Sequence, residues 1–169
     1  MKTITLLLSS SGKNKELANT LKDIIEKSGA KGSIINLEVL ELPLYSGIEE
    51  ERSGVPKEVI DLKNKMVISD GFIFIAPEYN GSLPPVLINA ISWLSRSSDD
   101  WREAFNGKIA AIATHSGGGG KNVLMAMRLQ LSFLGTNVLG RELLTNYSKQ
   151  LNISSAEAVI KEILKLASA

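Results

Sequence analysis

The chain has 169 residues, 44% of them hydrophobic, enough for one domain to bury a core without disulfides or a metal. Lysine and arginine number 19 against 18 aspartates and glutamates, so no overall field draws the chain to nucleic acid or to an anionic membrane. Cysteine is absent, which excludes a disulfide framework, a thiolate metal site and a cysteine nucleophile, and fits a cytoplasmic setting.

The N-terminal apolar run, Ile4 to Leu8, is too short for a signal peptide, and no segment approaches the length of a membrane span. Short apolar runs alternate with longer segments of helical period, the pattern of a parallel sheet covered on both faces, and five strands and five helices are predicted. The first strand covers Thr3–Leu8. A helix follows in which Leu17, Ala18, Leu21, Ile24 and Ile25 share one face, ended by Gly29. A second strand at 32–37 leads through Leu42, Pro43, Leu44 and Tyr45 to residues 46–54, which are polar and read as a mobile loop. A second helix spans 55–68, with Pro56 near its first turn. The third strand, 71–76, has no polar residue after its glycine, as expected of a central strand buried on both faces.

The third helix, 84–96, carries one wide apolar stripe, with Ile88 off it. A fourth strand at 108–114 precedes a glycine-rich loop at 115–120 and a helix to Leu134 that is apolar on two sides. Val123, Met127, Leu131 and Leu134 group on one side, and Ala126, Leu129 and Phe133 on the other. One sheet covers only one such face. Gly135 ends this helix, a fifth strand is expected around Asn137, and Ser154 with Glu157 reads as a capping box for the last helix.

In an open parallel sheet the ligand site lies beyond the carboxyl ends of the strands, where strand order reverses. Three loops lie there. Ser9, Ser10, Ser11, Gly12, Lys13 and Asn14 lead into a helix N-terminus, whose free N–H groups and hydroxyls suit a phosphate monoester, or else form a serine-rich cap that needs no ligand. The loop is no nucleotide-triphosphate loop, since its first glycine falls at Leu7 and Asn14 follows the lysine. Nor is it a dinucleotide fingerprint, since Ser10 stands where a glycine is needed. Pro77, Glu78, Tyr79, Asn80, Gly81 and Ser82 connect the third strand to the next helix, Tyr79 either packing on a ring or covering the sheet edge. Ser116, Gly117 and Gly118 open a loop that either lets backbone approach a planar ring or is plain flexible surface. His115 is the single histidine, so neither a histidine-rich metal site nor a hydrolytic triad built on several imidazoles is available.

The run from Ala76 through Pro77, Glu78, Tyr79, Asn80, Gly81, Ser82, Leu83 and Pro84, continuing to Leu87, Asn89, Ala90, Ile91, Trp93, Leu94, Ser95 and Arg96, closely resembles the signature of the NADPH-dependent FMN reductase family. That family includes flavin, quinone, azo-dye and chromate reductases. The likeness extends along nearly the whole chain, through the serine-glycine-glycine loop and Arg128 with Leu129. It implies a single flavodoxin-like domain over 1–169, an α/β three-layer sandwich with a five-stranded parallel sheet in the order 2-1-3-4-5.

The resemblance also implies FMN as cofactor and NADPH or NADH as co-substrate. Ser9, Ser11, Lys13 and Asn14 would hold the phosphate. Pro77, Glu78, Tyr79, Asn80, Gly81 and Ser82 would flank the ring and ribityl chain, and Ser116, Gly117 and Gly118 would border the pyrimidine end. Three departures stand out: a short first loop offering Lys13 where many members have an arginine, Pro84-Pro85 where Pro-Gly is usual, and Ile88 and Ser92 where lysine and aspartate are frequent. The implied activity is ping-pong reduction of a small-molecule electron acceptor by a homodimer or homotetramer, with the flavin carrying the chemistry and no acid or base triad. Two rival readings are a non-enzymatic electron carrier of flavodoxin type and a regulatory protein that binds or has lost FMN.

Overall fold

A computed structural model describes residues 1–167. Its elements run β1 Thr3–Leu8, α1 Lys13–Lys27, β2 Lys31–Asn36, a 3-10 turn Leu37–Leu40, α2 Gly47–Ser53, α3 Lys57–Val67, β3 Gly71–Ile75, α4 Pro85–Leu94, β4 Ile109–His115, α5 Lys121–Phe133, β5 Asn137–Val138, β6 Leu143–Thr145 and α6 Ile153–Leu166. All strand pairs are parallel, in the order β2-β1-β3-β4-β5, with β6 also pairing β4. The expected order therefore holds, with the fifth position split. β5 pairs the start of β4 and β6 pairs its end. Between them the Arg128 guanidinium donates to the carbonyls of Val138 and Leu139, occupying acceptors that a continuous strand would present to solvent.

Side chains alternate across the sheet and feed two cores. Phe72 and Phe74 of β3 join Leu62, Trp93, Met127 and Leu131 beneath α3, α4 and α5. Ile73 and Ile75 join Leu21, Ile25, Ile160 and Ile163 beneath α1 and α6. The two-sided reading of α5 is met directly: Val123, Met127, Leu131 and Leu134 are buried, while Leu129 and Phe133 are 76% and 68% exposed.

Two expectations are corrected. Residues 46–54 are not a loop, since α2 occupies most of them. Ser46 Oγ caps the Glu49 N–H at 3.1 Å, and Glu50 accepts from the Tyr45 hydroxyl at 3.1 Å and from Arg96 Nε at 2.9 Å. α6 is capped not by Ser154 and Glu157 but by Asn152, whose Oδ1 accepts from the Ser155 N–H at 2.9 Å. Ser154 donates to that same oxygen.

Candidate functional site

The carboxyl ends of β1, β3 and β4 bring the three loops to one edge of the sheet, and each loop is held by a bond to another element. In the first, the Ser9 N–H donates to the Ile75 carbonyl, extending β1 along β3. Ser9 and Ser10 are 1% and 4% exposed, and their hydroxyls have no partner. A buried hydroxyl without a hydrogen bond is costly, so the loop holds donors in reserve. Gly12 at φ 75° is the N-cap of α1, and no side chain caps the helix, so the serine-rich cap is not formed. An uncapped helix N-terminus beside two unused hydroxyls is a donor set that fits a phosphate monoester.

The other side chains of this loop are committed. Ser11 Oγ donates to Glu38 Oε2 at 2.8 Å. Lys13 Nζ pairs with Glu16 at 2.9 Å, and that hydrogen bond and charge raise the ammonium above its ordinary range. Asn14 is buried and clasps β4: its Nδ2 donates to the His115 carbonyl at 3.0 Å and its Oδ1 accepts the His115 N–H at 2.7 Å.

Residues 77–82 hold a tight hairpin. Tyr79 and Ser82 exchange both backbone bonds, at 3.1 and 3.0 Å, around Asn80 at φ 51° and Gly81 at φ 73°. Two successive positive φ angles define the turn that Asn-Gly favours, because asparagine tolerates the left-handed region and glycine meets no Cβ penalty there. Tyr79 is exposed, as are Asn80, Gly81 and Ser82. Glu78 turns the other way. Its Oε2 accepts the N–H groups of Asn122 and Val123 at 3.1 and 3.2 Å, at the N-terminus of α5, whose N-cap Gly120 offers no side chain. A carboxylate there satisfies two free donors and meets the positive end of the helix. Glu78 thus joins the loop after β3 to the helix that follows the loop after β4.

The third loop is tied down at both ends. Ser116 donates its N–H to Thr145 and accepts the Gly118 N–H on its hydroxyl at 3.1 Å. Thr145 Oγ1 donates to the Thr114 carbonyl at 3.1 Å, which leaves it to accept from His115 Nδ1 at 3.0 Å. The His115 ring meets Tyr147 edge-on and lines a cavity of ≈ 240 Å³ with Lys13, Glu16 and Gln150.

Three residues of the signature stretch act away from these loops. Asn89 donates to the carbonyls of Leu42 and Pro43 and accepts the Tyr45 N–H, Trp93 Nε1 donates to Pro43 at 2.7 Å, and Arg96 pairs with Glu50. Lys13, Arg96, Lys121 and Arg102 each have a partner within the chain. Lys13 and Arg96 are paired as above, Lys121 pairs with Glu142, and Arg102 lies over Trp101 at 4.2 Å. Among the described residues no group of three or more His, Asp or Glu side chains could hold a metal.

Sheet order, topology and the three loops at the carboxyl edge define a flavodoxin-like protein. Residues 1–150 match the NADPH-dependent FMN reductase family, and the chain belongs to it. It is 32% identical over 145 residues to a quinone reductase of Escherichia coli (strain K12), covering 83% of this chain and 74% of that protein. With an NADPH azoreductase of Bacillus sp. (strain OY1-2) it shares 30% identity over 132 residues, 78% of this chain and 67% of the other. The same fold occurs in FerB, a flavoenzyme NAD(P)H:(acceptor) oxidoreductase from Paracoccus denitrificans, with a TM-score of 0.75, 22% identity and coverage of 99% and 96%. The protein is an oxidoreductase that uses FMN with NAD(P)H. Among the described residues no helix is long and apolar enough to cross a membrane.

Proposed function

We propose that this chain is one FMN-binding domain over residues 1–169, that it works in the cytoplasm, and that it reduces small aromatic acceptors of the quinone and azo class at the expense of NADPH or NADH. The observation that carries the site assignment is the pair of buried, unused hydroxyls of Ser9 and Ser10 beside the uncapped start of α1. In this reading the hydroxyls of Ser9 and Ser10 and the N–H groups at the start of α1 receive the phosphate, and Ser11 and Lys13 border it while held by Glu38 and Glu16. Asn14 acts by fixing the loop to β4. Pro77, Tyr79, Asn80, Gly81 and Ser82 form one wall of the ring site, Ser116, Gly117 and Gly118 the other, and Glu78 sets their separation.

When bound, FMN supplies the redox chemistry, taking hydride from the dinucleotide and delivering electrons to the acceptor. The protein's part is to position the reactants and exclude water, which requires no acid or base triad. One open ring face serves both substrates in turn, so double-reciprocal plots against NADPH at several quinone concentrations are expected to be parallel. Intersecting lines would count against a shared site.

The second part of the reading is a homodimer. Met125, Leu129 and Phe133 recur at four-residue intervals on α5 and are exposed, and Trp101 lies against Phe133 at 5.9 Å. A continuous apolar stripe on one helix suits the same stripe of a second copy. Leu129→Glu is expected to shift the protein from dimer to monomer in light scattering at micromolar concentration and to remove the concentration dependence of the melting temperature that a dimer shows. A wild-type monomer would rule this face out as the interface.

A further inference from the structure

On the reading of the first loop as the phosphate site, we propose that Glu38 is a specificity-determining residue that weakens this chain's hold on the phosphate and so narrows its preference for FMN over riboflavin. Glu38 follows β2, with its backbone N–H fixed by Asn36 Oδ1 at 3.0 Å as the chain enters the 3-10 turn. That anchor sets its carboxylate beside the neighbouring strand's loop, where Oε2 accepts the Ser11 hydroxyl at 2.8 Å. A phosphate bound to this loop would compete with a carboxylate for the same hydroxyl proton. It would also stand within a few ångströms of a like charge.

The surrounding cations do not offset this. Lys13 is already paired with Glu16, and the two lysines of the first helical turn, Lys13 and Lys15, are matched by the two carboxylates, Glu16 and Glu38. What remains for the phosphate is the helix N-terminus and the free hydroxyls of Ser9 and Ser10, which are dipoles and not charges. A neutral flavin loses nothing by this arrangement, because a ribityl hydroxyl can donate to Glu38 where a phosphate oxygen cannot. The carboxylate is exposed, so its repulsion of a phosphate is that of a solvated pair and diminishes with salt.

The test is fluorescence titration of the flavin-free protein with FMN and, separately, with riboflavin, for wild type and Glu38→Gln. Glutamine keeps an acceptor for Ser11 and removes the charge. FMN affinity is expected to rise about three- to tenfold in the variant at low salt, with the gain shrinking in high salt, while riboflavin affinity stays within about twofold. If FMN binds to both proteins with equal affinity, or if both flavins gain equally, Glu38 does not act on the phosphate. If neither protein binds either flavin, the assignment of the first loop fails, and this inference with it.

Discussion

Glu78→Ala is expected to weaken FMN binding about tenfold and to lower the melting temperature of the flavin-free protein by about 4 °C. At the start of α5 the N–H groups of Asn122 and Val123 are accepted by the Glu78 carboxylate, 44 and 45 residues earlier in the chain, and no side chain of the N-cap residue competes for them. Removing a helix cap costs about 1–2 kcal/mol, and a charged acceptor lies toward the upper end of that range. The larger consequence is geometric. The bond ties residues 77–82 to the helix behind 115–120 beyond the end of the β3–β4 ladder, so its loss is expected to loosen one side of the crevice against the other. Glu78→Gln keeps an acceptor at the same reach and should recover most of the stability and part of the affinity. An unchanged FMN affinity in Glu78→Ala, with the stability lowered, would reduce Glu78 to a helix cap with no part in the site.

The second large effect is expected at Gly120. An alanine there is predicted to destabilise the fold by about 2–4 kcal/mol, combining left-handed strain with overpacking. The residue has φ 69°, and a Cβ would lie 3.0 Å from Ser116 Cβ, 3.1 Å from Thr114 Cγ2 and 3.4 Å from Leu144 Cδ1. The neighbouring glycines differ. None of Gly117, Gly118 and Gly119 has a left-handed φ, and a Cβ at each would meet nothing closer than 3.9 Å. Folding therefore demands only the last of the four. Gly117→Ala and Gly118→Ala should melt within about 2 °C of wild type and yet bind FMN more weakly, because a methyl group would hold the ring away from the backbone. Urea unfolding and FMN titration of the three variants separate a structural glycine from ligand-facing ones. If Gly117→Ala and Gly118→Ala bind FMN normally, that loop is surface and not wall.

Much of the fold was legible because burial on two faces leaves a strong local mark. Phe72, Ile73, Phe74 and Ile75 form an uninterrupted apolar strand, and α5 carries a second apolar stripe that a single sheet has no room to cover. α2 left no such mark. It is seven residues long and buries none of them, and its stabilising contacts come from Ser46 at its start and from Tyr45 and Arg96 outside it. The split of the last strand was equally silent, since two- and three-residue strands are too short for a pattern.

The three loops at the carboxyl edge of the sheet could be located from the sequence, but not the way they are held. Asn14 reaches His115 across 101 residues, and Ser11 reaches Glu38 across 27. Nothing near either position in the chain announces such a partner. Glu78 sits inside the most recognisable stretch of the sequence and is oriented by α5, far downstream. A short motif thus marks where a crevice forms, while the bonds that give the crevice its width and charge come from residues that only the fold brings together.

This chain itself is expected to move electrons from a nicotinamide dinucleotide to FMN held at the edge of its sheet. The most direct test is the visible spectrum of the FMN-reconstituted protein, freed of unbound flavin and kept without oxygen, before and after NADPH is added alone. The oxidised flavin band is expected to bleach promptly and to return when a quinone is supplied. A band that persists until a separate reductase is added, or a protein that retains no flavin under any reconstitution, would mean that the chain does not carry out this transfer.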